Sequence, residues 1–226
     1  MTETAPSLKS EALLDCLANS NSRPDILSVS IHTNVYFQCL AFVVDAARHC
    51  FEPVQNAATN TDPLACVPEP VDWSSLMAKL HSWYVNRPPA FVPILDEDSP
   101  NMFPIILFMD DVAASANLLY HASLFILLRR RVRDGQRQDL TRTASIDRAH
   151  MVPLWHARRV CGIALTSDQH FWDPCTIAAF FNVAQHMTHP TQQQALLVGL
   201  ERIQSRGWKI DGLVKRLREE WLIPDA

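Results

Sequence analysis

The sequence predicts an all-α protein: an irregular array of helices around one central apolar helix, with no sheet. Apolar residues recur at spacings of three and four along most of the chain, which is the period of a helix. Glycine is scarce, with 5 among 226 residues, and no stretch alternates convincingly between apolar and polar residues. Few glycines also disfavour hairpin-rich and Rossmann-like folds, because both need backbone positions at positive φ. The 15 prolines are clustered and therefore mark boundaries between helices.

The first part of the chain is predicted to hold a lead-in and two helices. Residues 1–25 are polar and are expected to form a mobile lead-in. A helix is expected over residues 26–51, and the prolines of the following loop, at about 52–70, forbid its continuation. Asp72 is a suitable N-cap for the second helix. The sequence Asn86-Arg87-Pro88-Pro89 ends that helix, and a second loop is expected at about 86–104.

The central helix is predicted from Ile105 to about Arg131. This segment is apolar on nearly every face, which is typical of a helix covered by neighbours on all sides. Its length also fits a membrane span, but Asp110 and Asp111 would each cost about 2.5 to 3.5 kcal/mol near the middle of a bilayer. We therefore interpret it as the buried helix of a soluble protein and expect no membrane partner.

The last third is predicted to form four shorter helices after a polar loop at about 134–150. A proline near the start of a predicted helix suits its first turn, and Gly207 suits the position just after a helix end. With the earlier elements, these helices are interpreted as one helical domain over residues 26–222. Their predicted ranges are Pro153–Leu165, Asp173–His186, Thr191–Arg206 and Asp211–Trp221.

Charge and cysteine usage exclude some classes of function. The net charge is −4, whereas a duplex-binding module usually carries a basic excess that neutralises phosphates. The six cysteines are widely and irregularly spaced and include no C-x-x-C pair, so the common structural zinc patterns are absent. The first residues do not resemble a secretory signal, and the thiols are expected to be reduced in an intracellular protein.

No standard catalytic motif occurs in the sequence: G-x-S-x-G, H-E-x-x-H and the glycine-rich phosphate-binding loops are all missing. If the chain is nevertheless an enzyme, His121, His156 and Asp111 are the candidate catalytic groups. A structural role in the core or at a helix cap is the main interpretation of His156 and its neighbour His150. Asp110 and Asp111 point about 100° apart on a helix, so they do not form a facing carboxylate pair.

Metal binding has two weak candidates. His186 and His189 are three residues apart near a helix end and would need a third ligand such as His170 or Asp173. The sequence DDVAASANLL resembles a metal–diphosphate motif of helical prenyl-processing enzymes, but it has no third carboxylate. We therefore expect no metal and no cofactor.

Two further features allow alternative interpretations. The run RRRVRDGQRQ at 129–138 suits either a solvated helix end or a patch for nuclear import or nucleic acid. The aromatic residues are expected mainly to anchor the core. A ligand site is the alternative, and its candidate residues are Trp83, Tyr120, Trp155 and His156.

Four strings of the sequence, taken in order, resemble one protein family. The first is WYVNRPP at 83–89 with FVP at 91–93, and the second is FPIILF at 103–108 leading to ANLLYHAS at 116–123. The third is PLWHARRVCGI at 153–163, and the fourth is GW at 207–208 with a helix that carries Leu217 and Trp221. Together, over residues 28–222, these strings are similar to the C-terminal regulatory region of fungal zinc-cluster transcription factors.

The resemblance implies an all-α regulatory domain of a nuclear protein that acts in transcription control. In that family, a separate N-terminal module holds two zinc ions with six cysteines and reads short DNA sites, usually as a dimer. This sequence lacks that cysteine pattern, and FWDPCTIAAFF at 171–181 replaces a Gly/Asn-rich segment. We therefore expect no direct contact with nucleic acid. The expected partners are a small-molecule effector and either a second copy or a full-length relative.

Two other functions stay open at the level of the sequence. A helical ligand-binding fold could serve as an enzyme of fungal secondary metabolism, with catalysis by His121, His156 or Asp111 in an aromatic-lined pocket. The chain could instead be a scaffold that binds only protein through an exposed apolar groove.

Overall fold

The computed structural model describes residues 24–51, 72–100, 102–133, 148–167 and 172–222. Within these ranges the chain is mostly helical, as the sequence predicts, with seven α-helices, two short strands and two 3₁₀ turns. The turns are Pro89–Phe91 and Arg148–Met151. In chain order the elements are α1 (Pro24–Phe51), α2 (Trp73–Asn86), β1 (Leu95–Glu97), β2 (Ile105–Leu107), α3 (Asp111–Arg133), α4 (Pro153–Thr166), α5 (Pro174–Ala184), α6 (Pro190–Ser205) and α7 (Asp211–Glu220).

The prediction that the protein has no sheet is wrong. Strands β1 and β2 pair in antiparallel fashion, with Leu95 opposite Leu107 and Glu97 opposite Ile105. The predicted loop at 86–104 thus contains β1, and the start of the predicted central helix is β2. A short apolar run such as Ile105–Leu107 has too few residues for its periodicity to distinguish a strand from a helix.

The central helix therefore begins later than predicted, at Asp111. Its start is fixed by Asp110, whose carboxylate oxygen Oδ1 accepts a hydrogen bond from the backbone N–H of Ala113 at 2.7 Å. An aspartate at this position satisfies one of the unpaired N–H groups of the first helical turn. Asp110 is thus an N-cap that ends the extended segment and begins α3.

Helix α3 lies at the centre of the array. It packs against α1, α4 and α5, and Leu118, Leu119 and Leu127 are fully buried. Over Asp111–Arg131 it is long and apolar enough to cross a membrane, but 83% of the relevant window is buried inside the protein. The apolar faces of α3 are therefore covered by other parts of this chain.

Several helix boundaries follow the signals in the sequence. Asp72 caps α2 by accepting a hydrogen bond from the N–H of Ser75 at 3.2 Å, as predicted. Asp173 and Thr176 form a reciprocal capping box at the start of α5. Gly207 follows α6 with a φ of 93°, a conformation that glycine adopts without steric cost. The predicted lead-in up to residue 23 and the predicted loops over 52–70 and 134–147 lie outside the described residues.

Candidate functional site

Three of the four strings meet in the structure. The end of α2, the middle of α3, the start of α4 and the 3₁₀ turn before α4 bring seven aromatic and histidine side chains together. We call this group the aromatic–histidine cluster; its members are Trp83, Tyr84, Tyr120, His121, His150, Trp155 and His156. The cluster contains all four candidate ligand-binding residues and two of the three candidate catalytic residues that the sequence predicts.

The aromatic half of the cluster is a stack centred on Tyr120. The ring centroid of Trp83 lies 5.1 Å from that of Tyr120, and the Tyr84 ring lies 5.0 Å from it. Both pairs are stacked, with interplanar angles of 28° and 17°. Such pairs contribute on the order of 0.5 to 1.5 kcal/mol beyond the burial of their area. The stack therefore holds the C-terminal end of α2 against α3.

The histidine half of the cluster is a hydrogen-bonded pair. Nδ1 of His121 lies 2.9 Å from Nδ1 of His156, and Nε2 of His156 lies 2.9 Å from the carbonyl oxygen of His150. A carbonyl only accepts, so Nε2 of His156 must carry a proton and donate. In a neutral His156, Nδ1 is then an acceptor, and Nδ1 of His121 donates to it. The arrangement therefore fixes both tautomers and leaves a lone pair on Nε2 of His121.

The electrostatic surroundings keep both imidazoles neutral. Burial, reinforced by the nearby His156 and Arg159, holds the pKa of His121 well below its usual range. Burial also lowers the pKa of His156 to about 3, although its hydrogen bond to the His150 carbonyl acts in the opposite direction. A buried imidazolium beside cations would lose hydration without gaining a counter-charge. The tautomers derived above therefore apply at neutral pH.

Two arginines border the cluster. The guanidinium of Arg87 lies 3.8 Å from the ring centroid of Tyr84, and that of Arg159 lies 4.7 Å from the ring centroid of Trp155. Arg159 also donates to the carboxylate of Asp96 in β1, which ties the sheet to α4. Nε and Nη1 of Arg87 are buried and have no hydrogen-bond partner within the described ranges. Stacking on Tyr84 therefore provides the observed compensation for burying these donors.

Asp111 is not part of the cluster. It lies in the first turn of α3, ten residues before His121, which corresponds to about 15 Å along a helix. The three candidate catalytic groups are thus not assembled around one point. The predicted helix from Ile105 to about Arg131 already implied this separation, because it contains both residues.

His186 and His189, the two histidines considered as metal ligands, make separate contacts in the structure. The side chain of His189 accepts a hydrogen bond from the N–H of Thr191 at 3.3 Å and caps α6. Nε2 of His186 contacts the guanidinium of Arg129. Among the described residues no group of three or more metal-ligating side chains is found, and His170 lies outside them. The positive charge of Arg129 beside His186 disfavours a cation at this place.

The basic run begins near the C-terminal end of α3. The guanidinium of Arg131 lies 4.1 Å from the ring centroid of Trp73 in α2. That of Arg129 lies 5.9 Å from the ring centroid of Phe125, one turn earlier in α3 itself. The arginines at 129–131 are therefore partly engaged with protein. Residues 134–138 of the run lie outside the described part of the chain.

Two clefts that share no lining residue with the aromatic–histidine cluster were not predicted. The first, of about 280 Å³, lies between the C-terminal ends of α1, α3 and α5, and the second, of about 470 Å³, lies between α5 and α7. Arg129, Arg130 and His186 line the first, and Phe181, Trp208 and Leu213 are among the residues lining the second. Of the features that the sequence analysis singled out, the arginine run and His186 line the first cleft.

No protein-family model, no curated protein and no solved structure matches this chain. The family resemblance therefore rests on the four strings alone.

Proposed function

We propose that this chain is a regulatory, ligand-sensing domain that acts in the control of transcription, of the kind found in fungal zinc-cluster factors. The observation that supports this proposal is the convergence of three strings, which are far apart in sequence, on one buried cluster. In the proposed role the domain acts in the nucleus, pairs with a second copy or a full-length relative, and makes no direct contact with DNA.

The strings also hold the segments around the cluster in place. Asn117 of the second string donates to the carbonyl oxygen of Phe91, in the first string, at 2.9 Å. Arg158 and Arg159 of the third string donate to the carbonyl oxygens of Ser99 and Met102 and to the carboxylate of Asp96. Because residues of each string hydrogen-bond to segments that lie beside another string, the three strings belong to one folding unit. This supports interpreting them together as one family signature.

The state of the histidine pair favours a binding function over catalysis. Each imidazole is neutral, and their shared hydrogen bond and the bond to the His150 carbonyl occupy three of the four ring nitrogens. The enzymatic alternative depends on the remaining Nε2 lone pair of His121 as a general base. For that alternative, purified protein should convert an intermediate of secondary metabolism and His156→Ala should abolish the conversion.

The regulatory proposal is tested by deleting the coding sequence in the producing cell and sequencing all transcripts. We expect a defined set of transcripts to change and to return when the wild-type chain is restored. Val198→Asp, on the exposed face of α6, should restore them as well, whereas Leu119→Asp, which buries a carboxylate in the core, should not.

A deletion that changes no transcript would rule out the regulatory role. Restoration by Leu119→Asp would show that the folded domain is not what acts. A fluorescent fusion of the restored chain tests the nuclear location in the same cells.

A further inference from the structure

The second cleft is a groove between α5 and α7 with a volume of about 470 Å³. Most of its lining is apolar: Ile177 and Phe181 of α5 and Leu213 of α7 border it, together with Trp208 from the fourth string. Apolar side chains around a groove that opens to solvent are typical of a surface on which another element docks. The cleft is therefore a candidate docking surface.

Two cations, Lys209 and Arg216, line the same cleft. Nε of Arg216 lies 3.3 Å from Oε1 of Glu220, so the charge of this arginine is compensated within α7. Lys209 is exposed and forms no ion pair within the described part of the chain. Neither Asp nor Glu is among the described residues that line the cleft. Lys209 therefore adds an uncompensated positive charge to a mainly apolar groove.

Two further carboxylates near the cleft are engaged elsewhere. Asp173 precedes α5, where it accepts hydrogen bonds from the Tyr36 hydroxyl and from two N–H groups of the first turn. Asp211, at the start of α7, accepts a hydrogen bond from the side-chain amide of Gln204 at 2.9 Å. Neither carboxylate forms an ion pair with Lys209. The charge and lining of the cleft therefore complement an apolar helix that also carries carboxylates.

The first part of the chain contains a segment of this chemistry at residues 11–18, which lie outside the described residues. In a helix, its three leucines share one face and its two acids lie beside that face. These five residues are Glu11, Leu13, Leu14, Asp15 and Leu17. Ser10 precedes the segment and suits an N-cap. A helix of this length is marginal in water, so it depends on burial of the leucines.

The chain between this segment and α1 is long enough to reach the cleft. Helix α1 begins at Pro24, 12 residues before Tyr36, which corresponds to about 18 Å. The Tyr36 hydroxyl lies 2.9 Å from Oδ2 of Asp173, at the start of α5. Six Cα–Cα steps join Ala18 to Pro24 and span up to about 20 Å. Ala18 can therefore lie beside the start of α5, and a helix of about 12 Å then fits along α5, which is about 16 Å long.

We propose that residues 11–18 of this chain dock as a short helix in the second cleft, with the leucines against Phe181 and Leu213 and the acids toward Lys209. This inference does not depend on the proposed role in transcription. Burial of the leucine face stabilises the docked helix, and the charges select its orientation. The tether to α1 keeps the segment at a high effective concentration. The docked segment covers the cleft, so a partner of similar chemistry binds there only by displacing it.

The test uses disulfide formation, because Cys16 lies within the segment. Ala178, an exposed residue of α5 that lines the cleft, is replaced by cysteine, and Cys175→Ser removes the neighbouring thiol. Under mild oxidation we expect the bond to Cys16 to form at least about tenfold faster in this chain than in a matched Val198→Cys chain. Val198 is exposed on α6 and lines neither cleft. Peptide mass spectrometry identifies the bond, and non-reducing electrophoresis shows whether it joins one chain or two.

Variants of the same chain separate the apolar contribution from the charged one. Leu13→Asp combined with Leu17→Asp should reduce the rate to that of the Val198→Cys chain, because it places carboxylates against an apolar lining. Asp15→Lys should slow the reaction about fivefold by placing like charges together, and adding Lys209→Glu should restore most of the rate. Lys215→Glu is the matched control, because Lys215 is exposed on α7 outside the cleft, and it should not restore the rate.

Hydrogen exchange provides a second measurement on the chain without added cysteines. The amides of residues 11–18 should exchange more slowly in the wild-type chain than in the double leucine variant. Circular dichroism and thermal unfolding establish that every variant retains the helical fold.

Equal rates in the Ala178→Cys and Val198→Cys chains would overturn the proposal, as would unprotected amides over residues 11–18. A rapid disulfide that joins two chains would also overturn it, because the occupant would then be the segment of a second copy. If Lys209→Glu did not restore the Asp15→Lys chain, or restored it no better than Lys215→Glu, the proposed charge complementarity would be refuted. The transcript experiment has a separate readout, so either proposal can fail without the other.

Discussion

Gly162 of α4 lies where the segment before β2 crosses the helix. A Cβ added at this position would overlap the carbonyl oxygen of Pro104 and would lie 3.0 Å from its Cγ atom. Two other glycines provide a graded comparison. A Cβ at Gly199 would meet Cδ2 of Leu165 at 2.5 Å, and a Cβ at Gly212 would meet nothing within 4 Å. Gly162 and Gly199 lie inside helices and Gly212 lies in the first turn of α7, so the gain in helix propensity from alanine is largest at the first two.

The expected changes in the free energy of unfolding follow from these contacts. Replacing a helical glycine with alanine contributes about 1 kcal/mol of stability, in part because the unfolded chain loses freedom. Forcing an extra methyl into a packed region costs about 1 to 3 kcal/mol, and the upper end applies at Gly162 because a backbone carbonyl must move. We therefore expect Gly162→Ala to destabilise the fold by about 2 kcal/mol. Gly199→Ala should be near neutral, because the Leu165 methyl can turn away, and Gly212→Ala should stabilise by roughly 0.5 to 1 kcal/mol.

Equilibrium unfolding in urea measures these differences. With an m value of about 2 kcal/mol/M, the midpoint should fall by about 1 M for Gly162→Ala and rise by a few tenths of that for Gly212→Ala. The order of the three variants in unfolding midpoint is the result that tests the contacts. If Gly162→Ala were as stable as Gly212→Ala, the contact between α4 and the segment before β2 would be wrong.

Three further predictions concern the core, the histidine pair and a helix cap. Leu119→Ala should lower the free energy of unfolding in urea by about 2 to 5 kcal/mol, because the side chain is fully buried. Trp155→Ala should lower it by a similar amount, because Trp155 contacts three histidine rings. Near-neutral effects from both variants would contradict the core described above. His121 and His156 have lower pKa values in the folded than in the unfolded chain, so the unfolded chain takes up protons first as the pH falls. For His156 the stability should therefore fall between about pH 6.5 and about pH 3, by up to about 1.4 kcal/mol per pH unit, and His121 should add to the loss in the same direction. An equal slope in His156→Asn would refute this. Asp173→Ala should cost about 1 to 2 kcal/mol, because it removes the α5 cap and the acceptor of the Tyr36 hydroxyl, and unchanged thermal unfolding would contradict the capping box.

Local signals predicted most of the helices because they act over a few residues. Asp72, Asp173 and Gly207 each satisfy or terminate a neighbouring turn, and such residues have the same effect in any helical protein. The sheet was missed because its strands have three residues each, too few to show a period of two. Its formation depends on pairing between segments on either side of a turn and on the contact of β2 with α4, which no local pattern encodes.

The candidate site was predicted in composition but not in arrangement. His121, His156, Trp83, Tyr120 and Trp155 were each candidates from their sequence alone, and packing brings all of them together. The protonation states of the histidines depend on burial and on which atoms face each other, so they could not be predicted. The same is true of the clefts, because a cleft is bounded by side chains of several helices.

The sequence by itself determined that this chain is mainly helical, that its longest apolar segment would be covered by neighbours, and where most helices begin and end. These properties follow from composition, periodicity and capping, all of which are local. The tertiary structure alone decided that His121 faces His156, that Pro104 requires a glycine opposite it, and that the arginines at the end of α3 border a cleft. Each of these depends on distances between residues far apart in the chain, which packing sets for the molecule as a whole.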